Sequence, residues 1–208
     1  MINPNIVDDA TGEWFELFNP DNTPVNLVGW RILDLGKDQH TIITDLWIEP
    51  GQYIVLGRSS TENAAAPVVY EYAGTEFANT SDALILVPPG AAAGDWVDKV
   101  IWGAGHAFQP KAGRSAERVG FIAPAVWQTA TNTWPDSLGN YGSPGQPNAL
   151  PQLPTTPPTT IPTQENTPTA TASATPFPQP TASLLPTAST TPTPTAAATP
   201  AATATAFI

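Results

Sequence analysis

The sequence predicts an all-β fold, a β-sandwich followed by a disordered tail. Its first 148 residues contain short segments rich in aromatic and β-branched residues, separated at regular spacing by turn-forming residues. No helical hydrophobic period of useful length and no internal repeat occur. From residue 149 the chain is almost entirely Pro, Thr, Ala and Ser. A segment with so little to bury cannot offset the entropy of ordering, about 1–2 kcal/mol per residue.

The change in composition predicts two regions. We expect a β-sandwich domain over residues 1–148 and a disordered Pro/Thr/Ala-rich linker or stalk over residues 149–208. All seven tryptophans, all four tyrosines and every Lys and Arg precede this boundary, and Glu165 is the only charged side chain after it. The proline density favours an extended spacer. Stalks of this composition in secreted proteins carry O-linked sugars, and a bare linker fits the composition equally well.

The stretch from Gly12 to Asp34 is predicted to form the central hairpin of the domain. Side chains alternate along its first arm, so Phe15 and Leu17 share one face. A run of turn residues then reverses the chain. In the second arm Leu27 and Trp30 are three apart, and we expect a bulge between them to let both face inward.

The remaining strands follow from the same patterns. We predict strands at residues 39–44, 53–56, 68–72, 82–87, 95–102, 113–119 and around 126–127. Residues 53–56 are continuously apolar, as expected of a strand covered on both faces, whereas 68–72 suits an edge strand. Residues 82–87 and 95–102 are expected to pair. Glu49-Pro50-Gly51 fits a type II turn, and residues 2–11 are expected to form a loop.

Five motifs follow one another along the domain. They are Glu13-Trp14-Phe15-Glu16-Leu17-Phe18-Asn19-Pro20 with Val25-Asn26-Leu27-x-Gly29-Trp30-x-Ile32-x-Asp34, then Ile48-x-Pro50-Gly51-x-Tyr53-Ile54-Val55-Leu56, Asp82-x-Leu84-x-Leu86, Val97-Asp98-x-Val100, and Asn140-Tyr141-Gly142-Ser143-Pro144-Gly145-x-Pro147-Asn148. In this order they resemble the lamin tail domain, over about residues 3–148. That family is an immunoglobulin-like β-sandwich found in nuclear lamins and in many bacterial surface proteins.

The resemblance implies a non-catalytic adhesion, tethering or protein-interaction module of a bacterial cell-surface or secreted protein. Its partner would be a protein or a cell-surface polymer, and its location extracellular or on the cell surface. The alternative is an accessory domain that targets a secreted nuclease, phosphoesterase or protease to its substrate. Family members usually open with a strand before an Asn-Pro turn, whereas here Asn3-Pro4 follows Met1 almost directly. We therefore expect a first strand and an export signal to precede this sequence, and a further domain or anchor to follow it.

Charge and composition exclude several function classes. The formal net charge of -11 disfavours nucleic acid as a partner, because phosphate binding needs clustered cations and Lys111, Arg114 and Arg118 form only a small group. No run of about 18 apolar residues is present, so no membrane span is predicted. Cysteine is absent, so the chain has neither disulfides nor thiolate metal ligands.

The sequence predicts no catalytic, cofactor-binding or metal-binding residues. His40 and His106 lie in separate contexts without a zinc-binding spacing. Ser115 is not in a nucleophile turn. Glu13 and Glu16, three apart on a strand, project from opposite faces and cannot act on one atom together. We expect them to pair with Arg31 or to accept backbone donors in turns.

Two further hypotheses stay open at this point. Asp8, Asp9, Asn19 and Asp21 offer loop oxygens suited to calcium, but their spacing matches no calcium loop, and such side chains also bond their own backbone in turns. Among the tryptophans, three lie in predicted strands and are expected in the core: Trp14, Trp30 and Trp102. Four lie nearer turns, where they either pack at the rim or form an exposed aromatic platform for sugars or proteins: Trp47, Trp96, Trp127 and Trp134.

Overall fold

A computed structural model describes residues 1–120, 124–148 and 205–207, the last three by their backbone alone. The elements are α1 (Asp9–Gly12), β1 (Trp14–Phe18), β2 (Val25–Asn26), β3 (Arg31–Leu33), β4 (Gln39–Thr41), β5 (Trp47–Ile48), β6 (Tyr53–Gly57), β7 (Val68–Glu71), β8 (Asp82–Val87), β9 (Asp98–Trp102), β10 (Ala116–Val119), β11 (Val126–Thr129) and β12 (Thr205–Phe207). The prediction of an all-β chain is confirmed. The tail lies outside the described residues, except that 205–207 form a strand that its composition did not predict.

The strands form two four-stranded sheets with the main core between them. The first sheet has the order β12-β1-β6-β7 and the second the order β4-β3-β8-β9. β1 runs antiparallel to β6, from Trp14 opposite Gly57 to Phe18 opposite Tyr53, and β7 runs parallel to β6. Two short pairs, β2-β5 and β10-β11, complete the described strands. This is the immunoglobulin-like β-sandwich that the sequence predicts.

Alternation along the strands fills the core. Phe15 and Leu17 of β1 are fully buried in it, as predicted, and they meet inward-facing apolar residues of both sheets: Ile54, Leu56, Ile32, Leu84, Leu86, Val100 and Trp102. The outer face of β1 is also covered, because Trp14 packs with Met1 and Val55 in a second buried cluster. The sandwich is therefore covered on the outside of its first sheet, which explains why 53–56 is continuously apolar.

The predicted central hairpin is wrong. β1 pairs with β6 and β12, whereas the second arm divides into β2, which pairs with β5, and β3, which pairs with β4 and β8. The turn between the arms carries the chain from one sheet to the other. It is held by Asn19, whose side-chain amide donates to the carbonyls of Thr23 at 2.8 Å and Ile48 at 2.9 Å. Turn residues predict a reversal, but they do not specify that the two arms pair with each other.

Leu27 and Trp30 are both buried, as predicted. A turn separates β2 from β3, rather than a bulge within one strand. The amide of Trp30 donates to the carbonyl of Leu27 at 3.0 Å. Gly29 has a φ of +80°, a conformation that side chains other than glycine rarely adopt.

Several smaller predictions are confirmed, and one needs correction. Gln52 donates to the carbonyl of Glu49 at 3.0 Å and Gly51 has a φ of +72°, as a type II turn requires. β7 is an edge strand, and β8 pairs with β9. The segment 2–11, predicted to be a loop, contains the single-turn helix α1 with Asp8 as its N-cap.

Candidate functional site

Glu16 is a buried carboxyl that joins the first and last sequence motifs. It is 2% exposed, and its Oε1 accepts a 2.6 Å hydrogen bond from the amide of Gly145. Burial raises the pKa of Glu16 to about 8, and the Gly145 hydrogen bond opposes that rise. The predicted role of accepting a backbone donor is confirmed for this residue.

The closing motif is held by a second buried carboxyl. Glu117 accepts from the Ser143 hydroxyl at 3.1 Å and from the Gln128 amide at 3.0 Å. Asn148 donates to the carbonyl of Arg118 at 3.1 Å. These contacts fasten residues 143–148 beside β10, so the polar residues of the closing motif have a structural role.

Glu13 lies on the other side of β1, within a group of buried oxygen atoms. Burial raises its pKa to about 8, and Asp9 adds to the rise, while the Phe77 backbone and Arg58 oppose it. The hydroxyls of Tyr72 and Thr75 are also buried, and neither has a hydrogen-bond partner among the described residues. Because Glu13 is completely buried, its carboxyl cannot reach a substrate in solution.

The predicted pairing of these glutamates with Arg31 is wrong. Arg31 lies in β3 of the second sheet, and its guanidinium donates to the carbonyl of Ala91 at 2.5 Å. The two glutamates belong to the first sheet, so the pairing assumed by the hairpin is lost with the hairpin itself.

The histidines and the serine occupy separate structural positions. His40 shares a 2.8 Å hydrogen bond with the Tyr70 hydroxyl, and its other ring nitrogen lies 3.0 Å from the carbonyl of Ala73. His106 is exposed in the loop after β9. Ser115 is buried, and its amide donates to the carbonyl of Tyr141 at 2.9 Å.

Three of the four candidate calcium ligands, Asp8, Asp9 and Asn19, accept hydrogen bonds within the domain. Asp8 accepts from the Ala10 amide at 3.4 Å as the cap of α1. Asp9 accepts from Asn79 at 2.9 Å. Asn19 Oδ1 accepts from the Asp21 amide at 3.0 Å, which is the Asx-turn alternative. In the part of the chain that the structure describes, no group of three or more His, Cys, Asp or Glu residues is placed to hold a metal ion.

Two of the three clustered cations make contacts within the domain. Arg118 forms a 3.1 Å ion pair with Asp98. Arg114 donates to the carbonyl of Ala130 at 2.8 Å and lies 3.7 Å above the Tyr141 ring. Their charges are therefore partly used in holding the segment 111–148 together.

The structure separates the four turn-proximal tryptophans into two pairs. Trp127 packs against Phe108 at the edge of the core, with ring centroids 5.3 Å apart. Trp134 packs edge-on against Trp14 at 5.9 Å and donates to the carbonyl of Ala64. Trp47 and Trp96, by contrast, are 54% and 49% exposed. Trp14, Trp30 and Trp102 are buried, as predicted.

Trp47 and Trp96 lie on segments that meet at one end of the sandwich. We call the segments 26–29, 42–47 and 88–97 the aromatic end. Trp47 is opposite Asn26 in the β2-β5 pair, and the amide of Gly29 donates to the carbonyl of Ile42 at 2.7 Å. A Cβ atom on Gly29 would lie 3.2 Å from Pro89, which places the third segment against the first.

The aromatic end carries an unusual share of the exposed apolar surface. Four of the nine large apolar side chains exposed in the described residues belong to it, the other two being Val28 (39%) and Ile43 (78%). Asp45 and Asp95 are exposed beside them, and none of the three segments contains Lys, Arg or His. This surface can bind an apolar or cationic group.

Sequence reasoning identified Trp47 and Trp96 singly but missed that they lie on adjoining segments. It also missed Val28 and Ile43, because each follows a buried apolar residue, Leu27 or Ile42, and looks like part of a core pattern. The signal available in the sequence was the absence of cations from all three segments. It becomes informative only once the fold brings the segments together.

An all-β, immunoglobulin-like fold that exposes apolar side chains at its surface is typical of interaction domains. The comparison with known families agrees, because the model of the Lamin Tail Domain family matches residues 1–104. The match covers half of the chain, and the chain belongs to this family. Lamin tail domains are generally non-catalytic and of the protein-interaction type.

The other comparisons gave no match, either to a curated protein or to a solved structure. Among the described residues, no helix has the length and apolar character needed to cross a membrane.

Proposed function

We propose that this chain is an adhesion or tethering module of a bacterial cell-surface or secreted protein, and that the aromatic end is its binding surface. The observation that carries the proposal is the exposure of Trp47 and Trp96 on adjoining segments. Membership of a generally non-catalytic interaction family supports it. Immunoglobulin-like sandwiches commonly bind through loops at one end of the fold.

The chemistry of the surface indicates what the partner presents. Half-exposed indole rings bind by stacking and by apolar contact. Asp45 and Asp95 add negative charge. The segments contain no cation of their own, and the neighbouring Arg31 guanidinium donates to the carbonyl of Ala91. A protein segment or cell-surface polymer with apolar and cationic groups fits these properties best, because Lys and Arg side chains also interact favourably with aromatic faces.

Fluorescence titration tests the proposal. The parent chain is titrated with Lys/Arg-rich peptides, cell-wall fragments and neutral polysaccharides, and tryptophan emission is followed. We expect a saturable change with one of these classes, weakened at least tenfold by Trp47→Ser and Trp96→Ser. Val126→Ser is the matched control, because Val126 is 50% exposed on β11, outside the aromatic end.

Two results would contradict the proposal. One is the absence of saturable binding to any of the three classes. The other is an equal loss of affinity in the Val126→Ser control, which would show that binding does not depend on the aromatic end. The accessory role beside a secreted hydrolase remains the alternative, and a hydrolase domain encoded in the same reading frame would favour it.

The proposed location has its own test. Cells producing the full-length protein are treated with a protease that cannot enter them, and the domain is followed by immunoblot. We expect it to be degraded while a cytosolic marker stays intact. Protection of the domain together with the marker would contradict a cell-surface location.

A further inference from the structure

The outer edge of β1, on the side away from β6, is shared by two separate segments. At one end the Met1 amine donates to the carbonyl of Trp14 at 2.8 Å, and the Trp14 amide donates to the carbonyl of Met1 at 3.0 Å. At the other end β12 pairs antiparallel, with Glu16 opposite Phe207 and Phe18 opposite Thr205. The outer edge of β1 therefore accepts backbone partners at both of its ends.

Backbone alternation shows which residues of β12 hydrogen-bond to this edge. The carbonyl of Glu13 and the backbone of Asn19 bond toward the β6 side, to Arg58, Gln52 and Gly51. Because the strand period is two, odd-numbered residues of β1 face β6 and even-numbered ones face the outer edge. Glu16 and Phe18 thus present their amides and carbonyls to β12.

The same alternation distinguishes neighbouring residues within β12. Thr205 and Phe207 lie opposite the even-numbered residues of β1, so their amides point toward β1. Ala206 lies opposite Leu17, whose backbone groups face β6. The amide of Ala206 therefore points away from β1, and its removal costs no bond in this pair.

The number of residues between the domain and β12 is large enough for β12 to reach a second copy of the domain. Residues 149–204 separate it from the rest of the described chain, and that many residues span at most roughly 190 Å when fully extended. This limit is several times the diameter expected for a 148-residue domain, roughly 30–40 Å. A neighbouring copy within reach offers the same edge with the same backbone contacts.

We propose that the outer edge of β1 is a strand-binding site that also takes Thr205–Phe207 of a second copy, so that chains self-associate by exchanging β12. Exchange of an identical element creates no new kind of contact, so concentration decides between pairing within one copy and pairing between copies. Dilute protein is monomeric, and concentrated protein, or protein crowded on a surface, forms exchanged oligomers. This inference concerns β1 and β12 and is independent of the aromatic end.

Sedimentation equilibrium of the full chain, from about 10 μM to about 1 mM, tests the inference. We expect the weight-average mass to rise with concentration for the parent chain. Phe207→Pro, which removes an amide that points toward β1, is expected to stay monomeric over this range. Ala206→Pro is the matched control, because it introduces a proline one position before Phe207 and removes an amide that points away from β1. This variant is expected to associate like the parent.

Each remaining outcome would overturn the inference. A parent chain that stays monomeric throughout the range shows that β12 is not exchanged. Equal association of the parent and Phe207→Pro shows that another surface is responsible, and loss of association in both proline variants contradicts the register. Near-ultraviolet circular dichroism of both variants checks that each keeps the fold of the parent chain. The titrations of the aromatic end involve no concentrated protein, so the two proposals can fail separately.

Discussion

The carboxyls of Glu13 and Glu16 are held away from water on opposite faces of β1, and this determines how folding responds to pH. Burial raises the pKa of each to about 8. In the unfolded chain a glutamate ionises near its ordinary pKa of about 4.3. Between these values the folded protein keeps protons that the unfolded chain releases, so each carboxyl makes folding less favourable as the pH rises.

In a chain that begins at Met1, the Met1 amine acts in the opposite direction. Its burial lowers its pKa from 8.0 to about 4, while Glu13 and Glu16 oppose that shift. Between pH 4 and 8 the folded amine is neutral and the unfolded one is protonated, so this group favours folding as the pH rises. With two carboxyls against one amine, we expect stability to fall from pH 5 to pH 7.5.

Replacing Glu16 with Gln isolates one of these groups. Glu16→Gln keeps an oxygen that can accept from Gly145 but removes the titrating proton. We expect the decline in unfolding free energy between pH 5 and 7.5 to become shallower by about 1.4 kcal/mol per pH unit, the value for one proton. Urea unfolding at several pH values measures it.

Glu62→Gln is the control for the loss of one carboxyl at an exposed loop position. An unchanged slope in Glu16→Gln would show that the Glu16 carboxyl is already ionised in the folded protein at neutral pH.

The sequence predicted part of this residue-scale picture. Three-residue spacing placed Glu13 and Glu16 on opposite faces, and the structure confirms it. The burial of Glu13 and Glu16 was not predictable, because glutamate side chains on strands usually face water. Glu16 is covered by Gly145, which lies far along the chain. Burial of a side chain by a residue so distant in sequence depends on the tertiary fold, so the sequence around Glu16 gives no sign of it.

At the scale of elements, the places of most strands were predictable, but several of their bounds, the short strands β5 and β12, and the pairing of the two arms were not. The edge position of β7 and the β8-β9 pair follow from local patterns and short connections. The arms on either side of the Asn19 turn go to different sheets, because Asn19 is bonded to Ile48 from a distant strand. A local turn signal cannot distinguish a hairpin from a crossing between layers.

Gly57 tests how closely β6 and β7 pack. A Cβ atom there would lie 2.6 Å from Val68 Cγ2, closer than real Cβ contacts allow. We expect Gly57→Ala to lower the free energy of unfolding by about 1–3 kcal/mol, because the branched Val68 must shift. Urea unfolding measures the change.

Gly94→Ala is the control, since a Cβ there meets nothing within 4 Å, and it should be neutral or stabilising by up to about 1 kcal/mol. Equal effects at both positions would mean that β7 moves aside freely.

At the scale of the whole molecule, the part matched by the family model does not contain all the contacts that cover its own core. Residues 105–148 pack onto it at several places. Phe108 lies between Trp102 and Trp127, at 5.9 Å and 5.3 Å. Gly113 donates to the carbonyl of Asn3 at 2.7 Å, and Asn5 donates to Asn140 at 3.1 Å. The closing motif predicts that the domain extends to residue 148.

Truncation measures how much of the sandwich depends on that segment. A chain ending at residue 104 loses the cover over Trp14, Glu16 and Trp102, so buried aromatic surface and a buried carboxyl become exposed together. We expect it to lack a cooperative urea transition and the near-ultraviolet dichroism of packed tryptophans. A chain ending at residue 148 keeps the contacts of Trp134, Gly145 and Phe108 and should retain both. A cooperative transition in the shorter chain, at the midpoint of the longer one, would show that the two four-stranded sheets are stable without the segment that covers them.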